Sequence, residues 1–90
     1  MTKDIYTANP LMLIAPCSNF SAVTPNDGVQ LTISPKALYI GTGGDLTVSS
    51  LMEKDVPVTF KNVPSGAIID VRVSRIYATG TTAADIVAMY

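Results

Sequence analysis

The residues that could do chemistry are few, and the most suggestive are Gly41-Thr42-Gly43-Gly44-Asp45, within ALYIGTGGDLTVSS (residues 37–50). A glycine-rich loop binds phosphate when its backbone N–H groups and a following helix N-terminus converge on the anion. Walker-type loops add a Lys followed by Ser or Thr, and dinucleotide loops need GxGxxG opening a helix. Here the glycines run into Asp45, itself an anion, and then into Leu46-Thr47-Val48, an alternating strand pattern. No Lys and no helix follow. The expected role is backbone shape: a tight hairpin turn between strands at 37–40 and 46–50, because glycine tolerates the positive φ of such turns.

Other candidate groups fail on similar grounds. The chain has no histidine, which removes the commonest general base and the commonest metal ligand. Ser18, Ser65 and Ser74 therefore have no imidazole to activate them. The sole cysteine, Cys17, has no partner for a disulfide and no base to make it a nucleophile. Asp27, Asp45, Asp55, Asp70 and Asp85 do not fall in calcium-loop spacing. A sugar-cleaving carboxylate pair needs a cleft that a chain this short has little room to build. The reading is a non-enzymatic protein without a cofactor or resident metal.

The elements that would position these residues are strands. Ninety residues, 48% of them apolar and 14% charged, make one domain. That composition is the reverse of a disordered chain. It is also more apolar than a core of this size can hide, so association with other subunits is expected. The net charge of −1, with both signs scattered, offers no basic groove for nucleic acid. Leu11–Ala15 is too short to span a bilayer. The acid beside Lys3 and the flanking Pro10 and Pro16 make it a poor export signal.

Residues 1–25 read as an extended arm punctuated by Pro10, Pro16 and Pro25, with one apolar strand at Leu11-Met12-Leu13-Ile14. Consecutive apolar residues imply that both faces of that strand are covered, inside the domain or on a neighbour. Residues 26–90 read as the β domain. A turn at Thr24–Gly28 precedes an alternating strand, Val29–Ile33. Val56, Val58 and Phe60 share one face of a strand that Pro57 confines to an edge or a first position. Pro64 and Gly66 mark a turn, with Pro64 at its first central position. The long run Ala67–Ala78 alternates until its parity slips at Ile76, as a bulge or a change of sheet would produce. A last strand covers Asp85–Tyr90. The expected fold is all-β: a small antiparallel β-sandwich or barrel of about six or seven strands with an extended N-terminal arm.

Two strings carry a further resemblance. ALYIGTGGDLTV, followed by VPVTFKNVPSGAIIDVRVSRIYATGTTAADIVAMY, is similar to the small spike base protein family of tailed phages and gene transfer agents across residues 37–90. Thr24-Pro25-Asn26-Asp27 resembles a turn of that family, whereas the LMLIAP arm departs from its pattern. The resemblance implies a virion structural protein, made in the host cytoplasm and assembled on the capsid. It implies a β-sandwich that oligomerises as a trimer or pentamer, docks on the major capsid protein and carries a spike fibre. No nucleic-acid or membrane partner is implied. The expected contact residues are Leu11, Met12, Leu13 and Ile14 in the arm, with residues 1–22 as its anchor, together with Arg72, Arg75, Tyr77 and Tyr90. Gly41, Gly43, Gly44, Pro64 and Gly66 are expected to shape turns. The rival reading is a carbohydrate- or host-surface-binding module, which would want exposed aromatics for stacking; the chain has no Trp.

Overall fold

The computed structural model of the protein describes residues 17–90. It is all-β, with seven strands: β1 (Phe20–Val23), β2 (Ala37–Thr42), β3 (Gly44–Ser50), β4 (Pro57–Val63), β5 (Ala67–Ile69), β6 (Val73–Ile76) and β7 (Ala84–Met89). They form two antiparallel sheets, a four-stranded one in the order β1-β7-β2-β5 and a three-stranded one in the order β4-β3-β6. The core lies between them. Leu38, Ile40, Ile86 and Ala88 from the larger sheet meet Leu46, Val48, Val73 and Ile76 from the smaller. Each of the larger side chains, removed almost wholly from water, contributes about 1.5–3 kcal/mol. The expected sandwich is present. The arm strand at Leu11–Ile14 lies outside the described residues. Within the span expected as arm, Phe20–Val23 form β1 and pair with β7, Phe20 opposite Met89 and Val23 opposite Ile86.

Over the described residues the chain changes sheet four times, and two of these changes alter an expectation. β2 and β3 are not a hairpin. Gly43 is the single residue between them, and the chain turns there from one sheet into the other. The apolar alternation on either side is real, but each half pairs with other strands. The other of the two is in Ala67–Ala78, which is not one strand. β5 pairs with β2, the chain crosses at Asp70-Val71-Arg72, and β6 pairs with β3. A bulge then follows. Val73 opposes Ser50 and Ile76 opposes Val48, so Ser74 and Arg75 share the single partner position Ser49. The extra residue returns Ile76 to the core face, which accounts for the slipped parity.

Val29–Ile33 is not a strand. Residues 24–31 instead run along the outer edge of β6 and bond it singly: Asn26 N–H donates to Ile76 O at 2.9 Å, and Leu31 N–H to Ser74 O at 2.8 Å. The bulge at Ser74 leaves no regular ladder there for a strand to extend. At the 64–67 turn, Ala67 N–H donates to Pro64 O, so the central residues are Ser65 and Gly66, with φ +81° at Gly66. Pro64 stands one place earlier than expected. Pro57 opens β4, an edge strand, where its missing N–H costs no ladder bond.

Candidate docking surfaces

The glycine corner binds its own chain. Gly43 N–H donates to Ser65 Oγ at 2.8 Å and Asp45 N–H to Thr82 Oγ1 at 2.8 Å. Asp45 O accepts from Thr82 N–H and Ala83 N–H. The Asp45 carboxylate accepts from Asn62 N–H at 3.2 Å and lies 3.6 Å from Lys61 Nζ. Asn62 sits at φ +55° where the β3–β4 register shifts, so its N–H is free to point at Asp45. The N–H groups that would cradle a phosphate are thus committed to side-chain hydroxyls, and a carboxylate stands among them. A Cβ on Gly43 would collide with Val63 O and come within 2.7 Å of Ser65 N. The third segment of the knot is Thr79–Ala83. Thr47 N–H donates to Thr81 Oγ1 at 2.9 Å, and the Thr79 N–H and hydroxyl both donate to the Asp27 carboxylate. Those two bonds, the hydroxyl first, hold the Asp27 carboxyl below its ordinary 3.8.

Among the described residues no three His, Cys, Asp or Glu side chains gather as metal ligands. What the surface does offer is apolar area in two unpartnered places.

The first is the outward face of the four-stranded sheet. Directly opposed residues share a face. Ala22 opposes Val87, Val87 opposes Tyr39, and Tyr39 opposes Ile68. These form one unbroken apolar row across all four strands. Beside it, Phe20 and Met89 form a second row, in which Ala37, opposite Met89, is buried. Neither row faces the core: Ile40, Ile86 and Leu38 occupy the alternate, buried positions. Ile68 is 60% exposed and Phe20 69%. A sandwich sheet facing water carries polar residues at such positions, and contiguous apolar rows of this kind mark interaction surfaces.

The second is a seam along β4. Val58 opposes Val48 and Phe60 opposes Leu46, so all four point to the inner side. Val48 and Leu46 are buried, yet Val58 is 54% exposed and Phe60 37%. The reason is topological. The groove is lined by Val48, Val56, Val58, Phe60, Val71 and Val73, and Val71 belongs to the crossing that leaves β5. The four-stranded sheet thus ends, at its three-residue strand β5, without covering β4. The residual space is about 280 Å³ and is open on one side.

The contact residues expected from the sequence are dispersed. Arg72 lies at the rim of the seam and donates from Nε to Pro35 O at 3.0 Å, bracing the crossing. Arg75 is half-buried on β6, with its guanidinium 5.5 Å from the centre of the Tyr77 ring. Tyr90 packs against the core, and its backbone exchanges hydrogen bonds with Asn19. Leu11, Met12, Leu13 and Ile14 fall outside the described residues. Gly41 and Gly44 flank the corner, where Asp85 and Thr82 respectively approach closest. Alternation sets Tyr39 opposite Leu38 and Ile40, as a rim or contact residue, and it is exposed there; sequence reasoning missed Ile68 and Val87 as surface residues. The signal for them was continuous apolar runs, Ala67-Ile68-Ile69 and Ile86-Val87-Ala88-Met89, whose strands are apolar on both faces.

No family model and no curated protein matches the chain. Among solved structures, it is similar to a chain of the capsid of a native GTA (gene transfer agent) particle computed with C5 symmetry. The TM-score is 0.79 and the identity 33%, over 98% of this chain and 100% of that one.

Proposed function

Because this chain belongs to the family of that gene transfer agent capsid chain, a capsid-associated virion protein, we propose that it is a non-enzymatic head spike base or decoration subunit. In this reading it self-associates in three or five copies and docks on the major capsid protein, where it can seat a spike fibre. The observation that carries the proposal is the apolar row Ala22–Val87–Tyr39–Ile68 on a sheet whose inner face is already filled. That row supplies a broad, flat, weakly charged surface of the kind that buries against another protein. We assign it to the capsid shell. The arm, with Leu11, Met12, Leu13 and Ile14, is assigned to contact with a neighbouring copy. Arg75, Tyr77 and Tyr90 remain candidates for the margins of these contacts, since Arg and Tyr are favoured there.

The test is co-sedimentation with capsids assembled without this chain. Wild type should pellet with them. Tyr39→Lys/Ile68→Lys should stay in the supernatant while keeping its β circular dichroism. If the double variant pellets like wild type, the outer face is not the docking face. If wild type does not pellet, capsid docking itself is wrong.

A further inference from the structure

We propose that the β4 seam is completed by a strand from a second copy, the segment Leu11-Met12-Leu13-Ile14. The inference rests on the self-association proposed above and names the site that accepts it. The seam has two apolar walls, Val58 and Phe60 on one side and Val71 on the other. An inserted strand is therefore covered on both faces, and a strand apolar at every position is what such a slot requires. Leu-Met-Leu-Ile has that pattern, and the adjacent Pro10 and Pro16 favour extended backbone at Asn9 and Ala15. The lengths also agree. Four extended residues cover roughly 13 Å, which fits within the five-residue wall from Val56 to Phe60, roughly 16 Å.

Chain reach points to a different copy as donor. Ser18 N–H donates to Tyr90 O, fixing the start of the described chain beside β1 and β7. β1 is the edge of the larger sheet farthest from β5, by three strand spacings, about 14 Å. The seam adjoins the crossing after β5, one layer lower, about 10 Å. The direct line is therefore about 17 Å, and the path over the surface is longer. Ile14 is four residues from Ser18, at most about 14 Å of extended chain. A copy's own run falls short of its own seam, while a neighbour's faces no such limit. Each copy then both gives and accepts a strand. Such head-to-tail contact generates a ring where the rotation between successive copies closes.

The test is disulfide trapping in the full chain, with Cys17→Ser removing the native thiol. A tagged Leu13→Cys copy is mixed with an untagged Val58→Cys copy at micromolar concentration under mild oxidant. A heterodimer should form roughly tenfold or more faster than with Ile68→Cys, an exposed control on the outer face, because docking raises the local thiol concentration. Phe60→Lys in the Val58→Cys copy should abolish the difference. No heterodimer, or equal rates for both partners, overturns the proposal. So does a Leu13→Cys/Val58→Cys chain that closes on itself as a monomer. Capsid co-sedimentation by the same untrapped protein reads the docking proposal separately: trapping can fail while docking stands, and docking can fail while trapping succeeds.

Discussion

Gly43 is the point at which the corner can be tested quantitatively. Replacing it with Ala drives a Cβ into Val63 O and puts it within 2.7 Å of Ser65 N and 3.0 Å of Pro64 C. All three are backbone atoms of the segment that leads into β5, so no flexible side chain can yield. Overpacking of this kind costs about 1–3 kcal/mol. If the segment retreats, the Gly43–Ser65 bond at 2.8 Å is lost as well, at about 1 kcal/mol. The sum, about 2–4 kcal/mol, lowers Tm by roughly 8–30 °C in a domain of this size. Two other glycines calibrate the result. A Cβ added at Gly66 would meet nothing within 4 Å, but the residue sits at φ +81°. Ala there costs only the left-handed conformation, about 1–2 kcal/mol. A Cβ at Gly28 would meet its nearest atom at 3.6 Å, an ordinary contact, so Ala there should stay within about 0.5 kcal/mol of wild type. Thermal unfolding by circular dichroism, at one fixed protein concentration because association raises Tm, should rank Gly43→Ala below Gly66→Ala below Gly28→Ala. A Gly43→Ala protein that melts with wild type, or above Gly66→Ala, would refute the packed-corner reasoning.

Other consequences follow from single contacts. Ser49 Oγ and Ser74 Oγ are buried and 3.0 Å apart, while Ser74 Oγ also reaches Ser50 O at 3.1 Å. Ser74→Ala should cost about 1–3 kcal/mol by orphaning the Ser49 hydroxyl, and Ser49→Ala clearly less; equal losses in urea unfolding would contradict this. Asp27 has a folded-state pKa below 3.8 because Thr79 bonds its charged form. Its stabilisation is therefore present above about pH 4 and is lost as the pH falls through the lowered value. Asp27→Asn should be less stable than wild type at neutral pH, with the gap closing as the pH falls through the lowered value; a gap that does not narrow in acid would break the link. Val58→Lys lies on an exposed edge strand and should keep the β circular dichroism of wild type while converting the proposed oligomer to monomer in light scattering; a full-sized oligomer would show that the seam is not a subunit contact.

Much of the fold was legible because strands announce themselves by alternation and punctuation. Pro57 marked an edge, Pro64 and Gly66 marked a turn, and the slip at Ile76 marked a bulge beside a sheet change. What failed was pairing. Apolar alternation at Leu38–Ile40 and again at Leu46–Val48 reveals two strands but not their partners, since the same pattern serves a hairpin and a corner. Val29–Ile33 alternated as well, yet its bond to β6 is the single one from Leu31 N–H to Ser74 O, with no ladder. The site was less legible for a similar reason. Val58 and Phe60 have core parity, and nothing local shows that the opposite sheet stops at Ile69 before covering them. The outer row was legible at Tyr39, which alternation sets opposite Leu38 and Ile40, but not at Ile68 and Val87, which lie in runs apolar at every position where parity marks no face. The motif string, by contrast, has a clear physical basis. GTGGD, NVPSG and ATGTT are the three segments that hydrogen-bond one another at the corner, through Gly43–Ser65, Asp45–Thr82 and Asp45–Asn62.

Cryo-electron microscopy of the parent particle tests the virion assignment most directly. The expected map shows a closed ring of copies on the capsid exterior, each a four-on-three sandwich with Tyr39 and Ile68 against the shell. Particles whose capsids carry no density for this chain, although the protein is made in the same cells, would contradict it.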